Sequence, residues 1–363
     1  MIRPTLLASC LVLFACDQKE AAAPAKAAPD KGAAPAAAPN VPKVGLELPG
    51  NDPKVVALAR KAITCKLERL GFDSSCAEYK AWKEEEAAFA DNKADATLVA
   101  FLEDADPKVR ALGADRLNGW GAGAFADKAL SERLLTIAEK PKDQRPEEIG
   151  RIVGHIKVKE TELLPRIKTL LASAEAGNIV RGDVITSLLV ANPESDEVFA
   201  LTRELISDPD LGRSAFSALD EGGHSKEKQT CELFAKTLSN TDDYLASRSA
   251  EKLVSFPCPA QIDPMLKAVE ARVKAKKIGD IHFCDALASV CTEKAPTAAQ
   301  KKKALVVAHK IAEDKTIKAT YVRGSAIEAS LACDAKGGKK YIAKFQKDAD
   351  TDVAAKVTKL LAK

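Results

Sequence analysis

Nine cysteines and four histidines are the residues of this 363-residue chain best suited to chemistry. Thiolate sulfur and imidazole nitrogen are nucleophiles and metal ligands. Either role needs a convergent pattern, such as HExxH for zinc or a histidine ordered beside a cysteine. The chain contains no HExxH, CxxC, GxSxG or P-loop sequence. We therefore predict no catalytic residue, no metal ligand and no cofactor.

Two segments come nearest to a site. His282, Cys284 and Cys291 offer metal-binding atoms, but on a helix residues two apart point about 200° away from each other, so His282 and Cys284 do not converge. The glycine-rich run Asn118–Gly123 contains GxGxG, yet it follows a helical pattern where a phosphate-binding loop follows a strand. We interpret this run as a loop between helices, with Trp120 packed on the core.

The N-terminal segment has the pattern of an export signal. Arg3 is followed by an apolar run from Thr5 to Ala15, which has signal-peptide length and is too short to cross a membrane. The run ends in Leu13-Phe14-Ala15-Cys16, which resembles the lipobox of bacterial lipoproteins. The alternatives are Leu7-Ala8-Ser9-Cys10, whose apolar run is short, and an ordinary secreted protein in which Cys16 is a spare thiol.

The lipobox resemblance implies a signal peptide at 1–15, acylation of Cys16 and attachment to the bacterial cell envelope, at its periplasmic face or the cell surface. Residues 16–44 are rich in Ala, Pro and Lys and have almost no large apolar residue. Such a segment cannot offset its ordering entropy, so we predict a disordered tether. Its random-coil span is roughly 30 Å.

Residues 45–363 are expected to form one helical repeat domain. Several stretches share a helix, a corner containing Asp and a second helix, as in 97–117, 198–219, 232–254 and 341–361. Asp52, Asp106 and Asp208 precede prolines, and Asp at the N-cap with Pro at the first helical position is a strong helix start. A residue that is basic in all but one case recurs in the second helices: Arg110, Arg151, Arg181, Arg213, Arg248, Asp280, Arg323 and Lys356.

The corner Asp106–Gly113 and the spacing of about 30 to 40 residues resemble HEAT repeats. This resemblance implies an all-α solenoid of seven or eight stacked antiparallel helix pairs, HEAT- or armadillo-like, in a right-handed superhelix. An irregular helical array outside that family is the alternative.

The hairpin arrangement predicts cysteine pairing, because export to an oxidising compartment favours disulfides. Cys65 and Cys76 flank one turn, and Cys231 and Cys258 lie at the same end of one hairpin. Cys291 and Cys333 occupy equivalent ends of successive second helices. Cys284 is left over and is expected to be buried.

Charge is concentrated near the C-terminus. Residues 261–363 hold 21 Lys and Arg against 12 Asp and Glu, although the whole chain has a formal net charge of only +3. Interleaved aromatics are missing, which argues against nucleic acid. Two interpretations of this basic region stay open: a helix face exposed to solvent, and a surface that binds an anionic partner. The lysines of the predicted partner-binding face are Lys274, Lys276, Lys277, Lys301, Lys302, Lys303, Lys336, Lys339 and Lys340.

Together these patterns predict a membrane-anchored, non-catalytic scaffold that binds an envelope protein through its helical repeats, with an acidic protein as one candidate partner. The alternatives are an envelope enzyme or enzyme subunit whose site converges from distant repeats, and a capture module for a small ligand or cell-wall polymer.

Overall fold

The computed structural model describes residues 45–68, 71–89, 92–119, 122–140, 146–256 and 258–362. The predicted signal peptide (1–15), the predicted acylation site Cys16, the predicted tether (16–44) and Trp120 lie outside these residues. All described residues belong to one contact unit. No helix in the described ranges is both long enough and apolar enough to cross a membrane.

Helices follow one another in pairs, each with a first and a second helix. In chain order these helices and the short segments between them are α1 (Pro53–Ala62), α2 (Ala77–Glu84), α3 (Asn92–Leu102), α4 (Pro107–Leu117), α5 (Ala122–Ala126), α6 (Lys128–Glu139), α7 (Pro146–Gly154), α8 (Val158–Thr161), α9 (Leu164–Ala172), α10 (Asn178–Ala191), α11 (Asp196–Leu205), α12 (Gly212–Gly222), α13 (Glu227–Thr237), α14 (Asp243–Ser255), α15 (Ile262–Lys274), α16 (His282–Thr292), α17 (Ala298–Glu313), α18 (Thr320–Cys333), α19 (Gly338–Ile342) and α20 (Thr351–Leu361).

The pairs are α1 with α2, α3 with α4, α6 with α7, α9 with α10, α11 with α12, α13 with α14, α15 with α16, α17 with α18, and α19 with α20. A 3₁₀ turn, Ala343–Phe345, extends α19. The all-α helical repeat predicted from the sequence is confirmed, with nine pairs in the described ranges against the seven or eight expected. The right-handed superhelix stays a prediction.

The second helices form one continuous layer, because α4, α7, α10, α12, α14, α16, α18 and α20 each pack on the next. Glycines allow the closest approach. A Cβ on Gly150 would lie 2.7 Å from the Val180 carbonyl oxygen, and a Cβ on Gly154 would lie 2.8 Å from that of Val184. Residue numbers increase along both helices from the first contact to the second, so α7 and α10 run parallel.

Aspartate caps start several helices as expected. The Asp52 carboxylate accepts hydrogen bonds from the Lys54 and Val55 amides, and the Asp106 carboxylate accepts one from Lys108. In each case Pro occupies the first helical position, where the missing N–H is not needed.

The expectation for Asp208 is wrong in detail. Its carboxylate accepts hydrogen bonds from the Asp210 and Leu211 amides, so it caps a turn. The helix α12 begins only at Gly212, with Leu211 at the N-cap. A Cβ on Gly212 would lie 2.7 Å from the Ile206 carbonyl oxygen, so the corner is tight.

A two-stranded hairpin interrupts the helices once among the described residues. Strands β1 (Leu67–Glu68) and β2 (Gly71–Phe72) pair antiparallel between α1 and α2. Two-residue strands leave the fold class unchanged.

Candidate functional site

Three disulfides tie helix ends together, and they pair the cysteines as the hairpin arrangement predicts. Cys65–Cys76 joins the segments after α1 and before α2, with Cα atoms 6.0 Å apart. Cys231–Cys258 spans 5.6 Å and closes the α13–α14 hairpin. Cys291–Cys333 spans 4.8 Å and joins the C-terminal ends of α16 and α18. These six cysteines therefore act as cross-links.

The remaining described cysteine is buried as expected. Cys284 Sγ lies 3.6 Å from the Val322 carbonyl oxygen. Burial raises the pKa of the Cys284 thiol far above its usual range, so the thiol stays protonated at neutral pH. A protonated, enclosed thiol is neither a nucleophile nor a metal ligand.

One cluster has the composition of a metal site. Single ligand atoms of Cys65, Cys76 and Glu78 all lie within 4.8 Å of one another. Both sulfurs are bonded to each other, so neither can supply the thiolate that zinc binds. The cluster is a disulfide with a neighbouring carboxylate.

The most strongly organised charged cluster joins α14 to α16. His282 Nδ1 lies 3.1 Å from an oxygen of Asp285 and 3.1 Å from an oxygen of Glu251. Hydrogen bonds to Asp285 and then Glu251 raise the pKa of His282 to about 9, although burial opposes this. Burial raises the pKa of Glu251, but the His282 hydrogen bond and Arg248 outweigh it and lower that pKa. At neutral pH the cluster is a charged clamp between two second helices.

Aromatic side chains lie at the N-terminal ends of the second helices around this clamp. The Arg213 guanidinium carbon is 4.7 Å from the centre of the Tyr244 ring, and that ring meets the His282 ring edge-on at 6.2 Å. Tyr321 begins α18, is 60% exposed, and its hydroxyl is 3.5 Å from the Gly279 carbonyl oxygen. We call Arg213, Tyr244, His282 and Tyr321 the tyrosine face.

A cavity of about 460 Å³ opens at the C-terminal ends of α7 and α10. It is bordered by Lys157, Glu160 and Glu197, and Lys157 Nζ donates a hydrogen bond to the Ala191 carbonyl oxygen. The buried Asn192 amide donates to the Ile156 and Leu188 carbonyls and accepts from Val158. Lys157 and Asn192 are therefore already bonded within the protein, and Glu160 and Glu197 are among the charged side chains left at the rim of the cavity.

The nine lysines of the predicted basic face do not form one surface. The side chains of Gln300 and Asp263 hydrogen-bond at 3.0 Å, and those of Lys310 and Glu270 pair at 2.8 Å, so α15 and α17 run parallel. Lys301, Lys302 and Lys303 lie in the first turns of α17, beside the start of α15. Lys274, Lys276 and Lys277 lie at the far end of α15, about 16 Å along its axis.

The other three lysines join the α17 group. Lys336 follows Cys333 by three residues, and Lys339 and Lys340 begin α19. Cys291 Sγ lies 3.7 Å from the Lys301 carbonyl oxygen, so the Cys291–Cys333 disulfide brings both segments together. The tertiary structure thus places three of the predicted lysines at one end and five at the other, with Lys303 between them, because Lys303 and Lys274 both act on Glu270.

Sequence reasoning missed three residues of these surfaces. Tyr244 and Tyr321 stand out only because the chain has just four tyrosines, and nothing in their spacing indicates a shared face. Lys294 is exposed and follows Glu293, whose carbonyl oxygen accepts a 2.8 Å hydrogen bond from Lys301 Nζ. Its place beside the larger lysine group depends on that loop.

Comparison with known proteins gives no family. No family model and no curated protein matches the chain. Among solved structures, the crystal structure of an engineered protein is similar to it, with 17% sequence identity, a TM-score of 0.34, and coverage of 83% of this chain and 81% of that one. A similarity at this level assigns neither a fold family nor a function.

Proposed function

We propose that this protein is an exported lipoprotein, anchored through Cys16, whose helical repeats bind an envelope protein without catalysing a reaction. The lipobox-like sequence supports the anchor. The continuous layer of second helices supports the scaffold role, because stacked repeats offer an extended surface for a partner.

The observation that carries the proposal is the tyrosine face. Tyrosine and arginine are among the side chains most enriched at positions that dominate protein–protein binding energy. Arg213, Tyr244 and Tyr321 come from three different second helices, and Tyr321 is the most exposed large apolar side chain among the described residues. A partner that covered the ring would bury apolar area while the hydroxyl kept its hydrogen bond.

Crosslinking in cells followed by pull-down tests the proposal. The parent chain should recover a discrete envelope protein, and Tyr321→Ala and Arg213→Ala should each reduce that recovery at least tenfold. Val306→Ala is the matched control, because Val306 is 45% exposed but lies on a first helix, α17. Recovery of the bait alone, or equal recovery by Tyr321→Ala and Val306→Ala, contradicts the proposal.

The anchor is tested separately with Cys16→Ser. We expect the parent chain in the membrane fraction and the Cys16→Ser chain in the soluble fraction of the envelope. The same distribution for both chains contradicts acylation at Cys16.

A further inference from the structure

The larger lysine group, without Lys303 and with Lys294 added, has no carboxylate partner among the described residues, whereas the Lys303 charge acts on Glu270. We call Lys294, Lys301, Lys302, Lys336, Lys339 and Lys340 the lysine cluster. Within the described ranges, none of the six forms an ion pair with a carboxylate. Lys301 Nζ donates instead to a carbonyl oxygen.

Acidic side chains near the lysine cluster are few and already engaged. The Asp334 carboxylate accepts a 2.7 Å hydrogen bond from the Gly337 amide, and the Asp263 carboxylate accepts one from the Gln300 side chain. Glu293 is exposed beside Lys294. Six lysines thus lie among three carboxylates, those of Asp263, Asp334 and Glu293, so the surface keeps a net positive charge.

The smaller lysine group is different, because carboxylates surround it. Lys274 lies 3.7 Å from Glu270, which also pairs with Lys310 at 2.8 Å, and the helix corners at that end carry Asp280 and Asp314. Lys276 contributes to lowering the pKa of Asp314, so the two charges are close. Lys274 and Lys276 thus each have a carboxylate neighbour.

We propose that the lysine cluster docks on an anionic phospholipid surface. It contains no arginine, which would suit planar two-point recognition of a carboxylate, and no exposed aromatic ring to anchor a peptide. Ammonium groups spread over several helix ends fit a diffuse layer of phosphate headgroups, where each lysine adds to the attraction.

This inference rests on the proposed membrane tether. The tether precedes the first helix pair in the chain, whereas the lysine cluster belongs to the last pairs. A lipid anchor before the first pair and a lysine contact at the last pairs hold the domain along the membrane. The tyrosine face is formed by the N-terminal ends of the second helices and the lysine cluster by the opposite end, so docking leaves the tyrosine face open to a partner.

Vesicle co-sedimentation of the full chain carrying Cys16→Ser tests the proposal without an acyl anchor. One set of vesicles contains equal parts of phosphatidylglycerol and phosphatidylcholine, and the other contains phosphatidylcholine alone. The second set measures any binding by the N-terminal apolar run. We expect binding to the anionic set, and loss of it in about 1 M salt, where the screening length is about 3 Å.

Two variants of equal net charge locate the contact. Lys302, Lys336, Lys339 and Lys340 are changed to Gln in the first variant, and Lys274, Lys277, Lys315 and Lys318 in the second. Each lysine near an anionic surface contributes about fivefold to binding. We therefore expect the first variant to bind about 600-fold more weakly and the second to bind like the parent.

Three outcomes overturn the proposal. In the first, the parent binds both vesicle sets equally. In the second, the two variants lose the same affinity, which makes net charge the cause. In the third, the first variant binds vesicles like the parent but loses an acidic protein in the pull-down. Capture through the tyrosine face is measured separately, so its failure and a failure of vesicle binding are distinguishable.

Discussion

Arg323 and Asp348 form a two-point ion pair inside the helix stack. Arg323 Nη2 lies 2.7 Å and Nη1 3.2 Å from the two Asp348 oxygens, and both side chains are about 5% exposed or less. Arg323 Nε also donates to the Ala312 carbonyl oxygen at 3.2 Å. The pair links α18 to the corner before α20. Arg181 with Asp210 and Arg213 with Asp242 link earlier second helices to the next corner in the same way.

Breaking this buried pair should destabilise the domain strongly. We expect Arg323→Met to lower the free energy of unfolding by about 3 kcal/mol or more, because Asp348 loses the partner that offsets its desolvation. Arg213→Gln is the control, since Arg213 is 64% exposed and such pairs contribute less than about 1 kcal/mol. Urea denaturation measures both, and equal losses would contradict a special role for burial.

The His282 clamp should make stability depend on pH in the alkaline range. Folding raises the pKa of His282 from 6.5 to about 9, so its contribution is full below about pH 6.5 and is lost as pH rises through about 9. At pH 6, His282→Gln should cost about 3 kcal/mol of unfolding free energy. The difference between parent and variant should shrink toward zero at about pH 10. A difference that is constant with pH would show that His282 acts only by packing.

The loss of unfolding free energy when a disulfide is removed should increase with the number of residues in the loop that the disulfide closes. The loops span 42 residues for Cys291–Cys333 and 11 for Cys65–Cys76. Chain-entropy arguments give about 4 and about 3 kcal/mol respectively. Double Cys→Ser variants of each pair, compared by guanidinium denaturation, should show the larger loss for Cys291–Cys333. The reverse order would show that native-state contacts, and not loop closure, decide the effect.

Gly154 should not tolerate a side chain. An added Cβ would lie 2.5 Å from the Ser187 Cβ and 2.8 Å from a backbone oxygen, so α7 and α10 would have to separate. We expect Gly154→Ala to cost about 1–3 kcal/mol. Gly50→Ala is the matched control, because no other atom lies within 4 Å of the position that its Cβ would occupy. Thermal melts that shift equally for both variants would contradict the close packing of these helices.

Cys284 should resist thiol reagents until the domain unfolds. In a chain with Cys10→Ser and Cys16→Ser, Cys284 is the single thiol outside the three disulfides. Its burial and raised pKa predict negligible maleimide labelling in buffer and one label per chain in denaturant. Cys284→Ala is the blank. Labelling of the native chain at the rate of the unfolded chain would place the thiol at the surface.

Local signals in the sequence determined the helix pairs, the proline-marked starts at Asp52 and Asp106, and the cysteine pairing. Each depends on neighbours within one hairpin or on one repeat step, so helical periodicity and capping chemistry are enough. The repeated basic residues of the second helices were also visible, although the aspartate partners of Arg181, Arg213 and Arg323 in the following corner were not. The sequence places the start of α12 at Pro209, whereas the helix begins at Gly212, which lies in close contact with the Ile206 carbonyl oxygen.

Only the tertiary structure decided which charges and rings share a surface. The nine lysines look like one basic region in sequence, but parallel stacking of α15 on α17 sends two groups to opposite ends. Tyr244 and Tyr321 are far apart in the chain, and each contacts the start of α16, because α14 and α18 both pack on α16. A repeat fixes spacing along the chain, whereas a binding face depends on the register between helices, which close glycine contacts, disulfides and ion pairs set.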